Sequence, residues 1–167
     1  IQGKPLQLGY FFSHAMKKKI EEIHKNYDCI IFHLIRGSEF LPNSFKGKKI
    51  LEMTDVISRN YFQLYKRLKP YNPLKYIYFI EKYLIEKYEK KIIKSFSYSV
   101  LVSKEDLKFS SIKNNYKIKI ITNGTDLKKK IYKFNKKNRD IIFIGNINYL
   151  PNKIACYSFI KNIMPEL

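Results

Sequence analysis

Ile120-Ile121-Thr122-Asn123-Gly124-Thr125-Asp126 and Ile141-Ile142-Phe143-Ile144-Gly145-Asn146-Ile147-Asn148-Tyr149-Leu150-Pro151-Asn152 are two short apolar runs, each stopping abruptly at glycine and small polar residues. In an α/β protein a buried strand leaves its sheet at such a point, and the following loop turns toward a ligand crevice. Leu127 to Asn138, between the runs, is charged and lacks apolar periodicity. The pair therefore reads as the end of one α/β unit (1–126), a linker (127–139) and the first βα unit of a second (140–167).

The same alternation extends back toward the start of the chain. Ala15, Met16, Ile20 and Ile23 predict a helix over His14 to Lys25, with Ser13 as its N-cap. Cys29 to Ile35 is a dense apolar run that reads as a buried parallel strand, and Ile50 to Met53 as a second strand ending at Thr54-Asp55. A helical pattern from Val56 to Lys69 is broken by Pro70 and Pro73. Leu74 to Ser95 then predicts a long helix with Ile77, Ile80, Leu84, Tyr88 and Ile92 on its core stripe and Glu81 among the outward charges. Further strands are expected at Tyr98 to Val102, Lys117 to Thr122 and Asp140 to Ile144, and a last helix at Asn152 to Asn162 with Ile154, Ala155, Phe159 and Ile163 inward. Strands alternating with helices through short connections predict an α/β fold: an open parallel sheet with helices on both faces.

The 167 residues are 45% hydrophobic, enough for one good core, which argues against disorder. The net charge of +19 comes from 29 lysines and only four arginines. Base readout favours the planar arginine fork, so this balance and the missing nucleic-acid signature argue against nucleic acid as a partner, while the surface still attracts anionic lipid headgroups and nucleotides. Lysine enrichment together with abundant Ile, Asn, Tyr and Phe also fits an AT-rich coding sequence. Cys29 and Cys156 lie far apart in apolar runs and read as buried free thiols of a reducing compartment, without metal-ligand spacing. No run approaches the ~20 apolar residues of a membrane span, and no signal peptide is visible. Both ends read as cut, as in an internal piece of a longer protein.

Ligands of open parallel sheets sit beyond the carboxyl ends of the strands. That rule selects His33, Arg36, Thr54, Asp55, Ser103, Glu105, Asp106, Asn123, Gly124, Gly145 and Asn146. His33 reads either as a hydrogen-bonding imidazole for a reacting ligand or as a half-buried histidine satisfying a carbonyl. Arg36 reads as a fork for an anionic group or as half of a surface ion pair with Glu39. Asp55 reads as facing a cleft, while Ser58 and Arg59 divide between that role and capping of the next helix. Ser103, Glu105 and Asp106 read as a helix N-terminus, and Asn123-Gly124 as a turn at a hinge. The loop from Gly145 to Asn152 precedes a helix, as phosphate loops do, but lacks the G-x-G-x-x-G and P-loop spacings. Pro151-Asn152 reads also as a plain helix start.

Taken in order, Asp55-Val56-Ile57-Ser58-Arg59, a Glu-bearing helix, Val102-Ser103-Lys104-Glu105-Asp106, Ile121 to Asp126 and Phe143 to Asn152 resemble family 4 glycosyltransferases of the GT-B fold, of the bacterial polysaccharide and exopolysaccharide type. Those enzymes carry "NGVD" before the linker and "GxMxYxPN" at the start of the second domain; here Thr125 replaces the valine and Ile147 the methionine. The resemblance implies two Rossmann-like lobes, with the acceptor on the first and a nucleotide-sugar donor on the second. It implies retaining transfer to a glycan or lipid-linked acceptor, with no cofactor and no metal, in the cytoplasm or at the inner face of the cytoplasmic membrane.

By the same resemblance His33 and Asp55 are catalytic, and Arg36, Ser58 and Arg59 bind acceptor. Gly145, Asn146, Asn148, Tyr149 and Asn152 bind donor, with Asn123 and Gly124 at the hinge. The family's first strand and glycine loop are expected before Ile1, and its diphosphate-gripping basic residue and two glutamates beyond Leu167, so the chain alone is expected to be inactive in transfer. The lysine- and tyrosine-rich helix 74–95 reads as a solvated face or as a surface against an anionic membrane. The alternative function is a non-catalytic basic module that binds RNA or anionic membrane.

Overall fold

A computed structural model describes residues 3–108, 110–126 and 140–167. The chain divides into two compact units, Ile1–Thr125 and Asp126–Leu167. The expected linker at 127–139 lies outside the described residues.

The first unit runs α1 (Leu6–Tyr10), α2 (His14–Ile23), β1 (Cys29–His33), α3 (Leu34–Gly37), β2 (Lys48–Thr54), α4 (Ile57–Arg67), α5 (Leu74–Ile92), β3 (Tyr98–Leu101), α6 (Lys104–Lys108) and β4 (Ile118–Ile120). The four strands form one parallel sheet in the order β1-β2-β3-β4. The fold is thus α/β with an all-parallel, Rossmann-like sheet. Ser13 caps α2 as expected, its hydroxyl accepting the Met16 N–H at 3.2 Å.

Register and burial together show how the sheet is used. Phe32, Leu51 and Ser99 are successive cross-strand partners, and Ser99 pairs in turn with Ile118. These four residues, with Met53 and Leu101, are all buried, and they share one face by the two-residue strand period. Ile35, Ile85, Ile93 and Phe96 pack into the same cluster. The opposite face, carrying Ile31, His33, Ile50, Glu52 and Val100, holds no fully buried strand residue.

Three expectations in this unit are corrected. β1 lies at the sheet edge rather than inside it, so Cys29 is exposed and Ile31 is 65% exposed. The core stripe of α5 is Glu81, Ile85 and Glu89, whereas Ile77 and Ile80 are exposed. Those two glutamates are buried because each accepts backbone N–H groups: Leu6 donates to both oxygens of Glu81 at 3.1 and 2.9 Å, and Ser58 donates to Glu89 at 3.2 Å. Asn123 and Gly124 lie in exposed, irregular chain and neither has positive φ, so no left-handed turn forms there.

Gly47 is required by close approach: a Cβ there would strike the Asp28 carbonyl and the Phe45 ring. The contact draws together the chain just ahead of the parallel strands β1 and β2, where the Lys48 N–H donates to the Asp28 carbonyl at 2.8 Å.

In the second unit α7 (Leu150–Asn162) forms two residues earlier than expected, with Pro151 in its first turn. The strand expected at Asp140 to Ile144 does not form; the segment is irregular, and Ile142 and Ile144 are 81% and 93% exposed. A strand needs a ladder partner, and among the described residues none pairs with it. No α7 residue is fully buried, so Ile154, Ala155, Phe159 and Ile163 do not face a closed core. Cys156 is half-buried rather than enclosed.

Candidate functional site

The carboxyl ends of β1 and β2 bring together a cluster that includes one residue the sequence reading passed over. His33 and Glu52 are cross-strand partners on the open face of the sheet. The His33 Nδ1 is bonded to Glu52 Oε2, and Glu52 Oε1 accepts the Thr54 hydroxyl at 2.6 Å. Burial opposes ionisation of Glu52, but the hydrogen bonds from Thr54 and His33 and the charge of His33 hold its carboxyl below the usual range. An ionised carboxylate only accepts, so Nδ1 carries the hydrogen in this bond, and Nε2 is left for another partner. The His33 side chain is 71% exposed, and no described residue bonds Nε2.

Two backbone features mark the same edge. Leu34 and Thr54, each at the end or just past the end of a strand, have φ of +63° and +60°. Left-handed backbone at non-glycine residues costs about 1–3 kcal/mol and persists only where the surroundings over-determine it. At Thr54 the hydroxyl bond to Glu52 and an irregularity in the β2–β3 register between Glu52 and Thr54 do so. Asp55 follows directly, half-buried, and no hydrogen bond or ion pair to its carboxylate occurs among the described residues.

The other first-unit candidates separate. Arg36 in α3 does not pair with Glu39; its guanidinium lies 4.1 Å over the Phe11 ring. Glu39 is taken instead by Lys4 at 2.9 Å and by the Tyr88 hydroxyl at 2.7 Å. Burial works against ionisation of Glu39, and those two bonds and the charges of Lys4 and Lys17 outweigh it. Ser58 is buried, and its hydroxyl donates to Glu89 Oε2 at 2.6 Å. Arg59 pairs with Asp106, and Ser103 caps α6 by accepting the Asp106 N–H at 3.2 Å, with Glu105 and Asp106 in the first turn. Ser58 and Arg59 therefore tie α4 to α5 and α6. An open groove of about 650 Å³ passes beside Ser58, Arg59, Phe62, Lys66 and Lys82, and it does not include His33 or Glu52.

In the second unit the Gly145 loop is braced by its own asparagines. Asn146 Oδ1 accepts the Asn148 N–H at 2.9 Å, its carbonyl accepts Asn152 Nδ2 at 3.0 Å, and the Tyr149 N–H closes a turn onto the same carbonyl at 3.1 Å. A Cβ on Gly145 would sit 2.9 Å from both Asn152 Nδ2 and the Phe143 ring, so a larger residue would push against the ends of those two side chains. The side chains of Asn146 and Asn152 thus serve the loop itself, and Tyr149 is exposed ahead of α7.

No group of three or more His, Cys, Asp or Glu among the described residues is placed to hold a metal. No described helix is long and apolar enough to cross a membrane. Comparison with family models, with curated proteins and with solved structures finds no match to this chain.

Proposed function

We propose that this chain belongs to a sugar-transfer enzyme of the family 4 glycosyltransferase type, moving a sugar from a nucleotide-sugar donor to a glycan or lipid-linked acceptor in cell-surface polysaccharide assembly. The observation that carries the reading is the His33–Glu52–Thr54 network at the carboxyl edge of a parallel sheet, next to the unpartnered carboxylate of Asp55. Nothing in the packing of the core requires it, and it holds strained backbone at Thr54.

On this reading the first unit holds acceptor. His33 Nε2 accepts a hydrogen bond from an acceptor hydroxyl, and Glu52 orients the ring and favours the imidazolium if the proton is taken. Asp55 accepts from a second hydroxyl. Arg36 lends its guanidinium to an acceptor phosphate from its position over Phe11. The braced Gly145 loop and the amino end of α7 take the donor diphosphate, whose charge suits the exposed amides there. Work at the cytoplasmic side of a membrane, where such donors are available, belongs with this reading.

The test is a binding panel on the whole chain: nucleotide sugars, short glycans and glycosyl diphosphates, followed by calorimetry. The reading expects a glycosyl diphosphate to bind and both His33→Ala and Asp55→Asn to weaken it at least about tenfold, the loss of one or two hydrogen bonds to a charged or polar ligand. Binding unaffected by both substitutions, or no binding by any sugar in the panel, would overturn it.

A further inference from the structure

The groove of about 650 Å³ beside α4 does not include the His33–Glu52 cluster, and its lining gives it a chemistry of its own. Three separate stretches of chain build it. Arg59, Phe62, Gln63 and Lys66 stand three or four residues apart on α4, so they share one helix face. Lys82 and Glu86 do the same on α5, and the chain after α6 adds Ser110, Ser111 and Lys113. The volume falls within the ~300–1,000 Å³ of small-ligand sites.

Charge on this lining is uneven. Four cations, Arg59, Lys66, Lys82 and Lys113, stand against one acid, Glu86. Glu86 is already engaged by Lys82 at 2.7 Å, by Lys90 at 3.2 Å and by Ser111, and Arg59 pairs with Asp106. Lys66 and Lys113 have no ion pair among the described residues. Lys66 and Lys82 nonetheless converge, their ammonium groups lying 4.5 and 5.9 Å from the centre of the Phe62 ring. A phenyl face is a weaker partner for an ammonium than an anion is. Lysines elsewhere are differently placed. On α2 Lys17 is balanced by Glu21 and Lys19 by Glu22, and in the concavity beside Asn114 and Tyr116 Lys117 is spent on the carbonyls of Lys94 and Phe96, each at 2.9 Å.

Ammonium groups from three stretches, with serine hydroxyls on the same lining and the one acid already paired, suit a ligand that carries several negative charges in a short span. Lysine meets phosphate as a point charge, without the planar match that carboxylates find in arginine. We infer that this groove binds a soluble oligophosphate, inorganic or borne by a nucleoside, with Lys66, Lys82 and Lys113 making the contacts. The inference does not rest on sugar transfer, which places its donor diphosphate at the Gly145 loop, and the substitutions that test it leave that loop and the His33 edge intact.

The test is calorimetry with tripolyphosphate and with ATP as separate probes, at about 0.15 M salt so that diffuse attraction to the net charge of +19 is screened. One site per chain is expected. Lys66→Gln/Lys82→Gln/Lys113→Gln weakens binding at least about tenfold, whereas Lys18→Gln/Lys25→Gln/Lys48→Gln, an equal change of net charge on exposed lysines elsewhere, shifts it less than about twofold. Gln63→Glu keeps every lysine and sets a carboxylate among them; this near-isosteric exchange at an exposed helix position preserves the fold and weakens binding at least about threefold. Equal affinities for the two probes assign the site to the phosphates alone, and tighter binding of ATP assigns it to a nucleotide. Equal losses from the two triple variants, binding unmoved by both the groove triple and Gln63→Glu, or no binding of either probe would overturn the inference. None of these results bears on saccharide binding at the His33 edge.

Discussion

Glu89 offers a sharp test of how α4 is held. Its side chain has 0% exposure, and its carboxyl accepts the Ser58 N–H at 3.2 Å and the Ser58 hydroxyl at 2.6 Å. Burial pushes its pKa up from near 4.5 to about 7, against the hydrogen bonds from Ser58 that pull it down. The folded state therefore binds this proton more tightly than the unfolded chain does. Its contribution to stability is fully present below about pH 4.5 and is lost as pH rises through about 7. At 1.36 kcal/mol per pKa unit, the difference between those two values is worth about 3 kcal/mol. Glu89→Gln keeps the bonding, with Oε1 accepting the Ser58 N–H and the amide donating to the Ser58 hydroxyl, and removes the titration. Urea unfolding followed by far-UV circular dichroism at pH 5 and pH 8 would measure both proteins. Expected are near-equal stabilities at pH 5 and a variant more stable by up to about 3 kcal/mol at pH 8. A variant destabilised by the same amount at both pH values would refute the reasoning, because it would mean that Ser58 binds an ionised carboxylate throughout.

Two further substitutions probe the edge of the sheet. Gly47→Ala forces a Cβ into the Asp28 carbonyl and the Phe45 ring, and since a backbone atom cannot swing aside the cost is about 2–3 kcal/mol; thermal unfolding reads this as a midpoint lower by several degrees, and an unchanged midpoint would contradict the packing. Thr54→Val removes the 2.6 Å hydroxyl bond to Glu52 while keeping the shape, so the Glu52 carboxyl moves up toward its ordinary range. Because a depressed carboxylate stabilises the fold above its ordinary pKa and loses that as pH falls, the variant also shows less acid-side loss from this group; carbon-detected NMR titration of Glu52 decides it.

Much of the architecture was legible because strand exits in this chain are chemically abrupt. The runs Cys29 to Ile35, Ile50 to Met53 and Tyr98 to Val102 combine β-branched or large apolar residues with a polar stop, and each holds a strand of one parallel sheet, although β1 ends at His33 and Leu34 and Ile35 enter α3. Proline at 70 and 73 separated α4 from α5 for the reason expected, a missing N–H and a fixed φ. α5 was harder, since Ile77 and Ile80 keep helical spacing as well as Ile85 does, and only the donors that reach Glu81 and Glu89 from distant segments decide which stripe is inside. Local periodicity holds no information about those donors. Asp140 to Ile144 shows the converse, a strand-like composition with no ladder partner among the described residues.

At the site, His33, Asp55 and Arg36 could be named from the rule about strand ends, but Glu52 could not. It sits inside a strand, and its meaning comes from register with β1, which sequence alone does not specify. One signal was available: alternation in Leu51-Glu52-Met53-Thr54 sends Glu52 and Thr54 to the face opposite the two core residues. A carboxylate and a hydroxyl two apart on the open side of a strand, ending where a neighbouring strand ends in histidine, is a pattern worth pairing. Ser58 shows the reverse. Its place at a helix start suited both capping and ligand binding, and its burial against Glu89 selects the structural role.

The central claim is that saccharide binds at the carboxyl edge of β1 and β2. The most direct measurement is NMR of the chain labelled in its histidine rings, with a glycosyl diphosphate added and magnetisation transfer read from sugar protons to the ring of His33. The account predicts transfer to His33, abolished by Glu52→Ala through loss of the ring's orientation, with His14 and His24 silent. No transfer to the His33 ring from a sugar that demonstrably binds would contradict it.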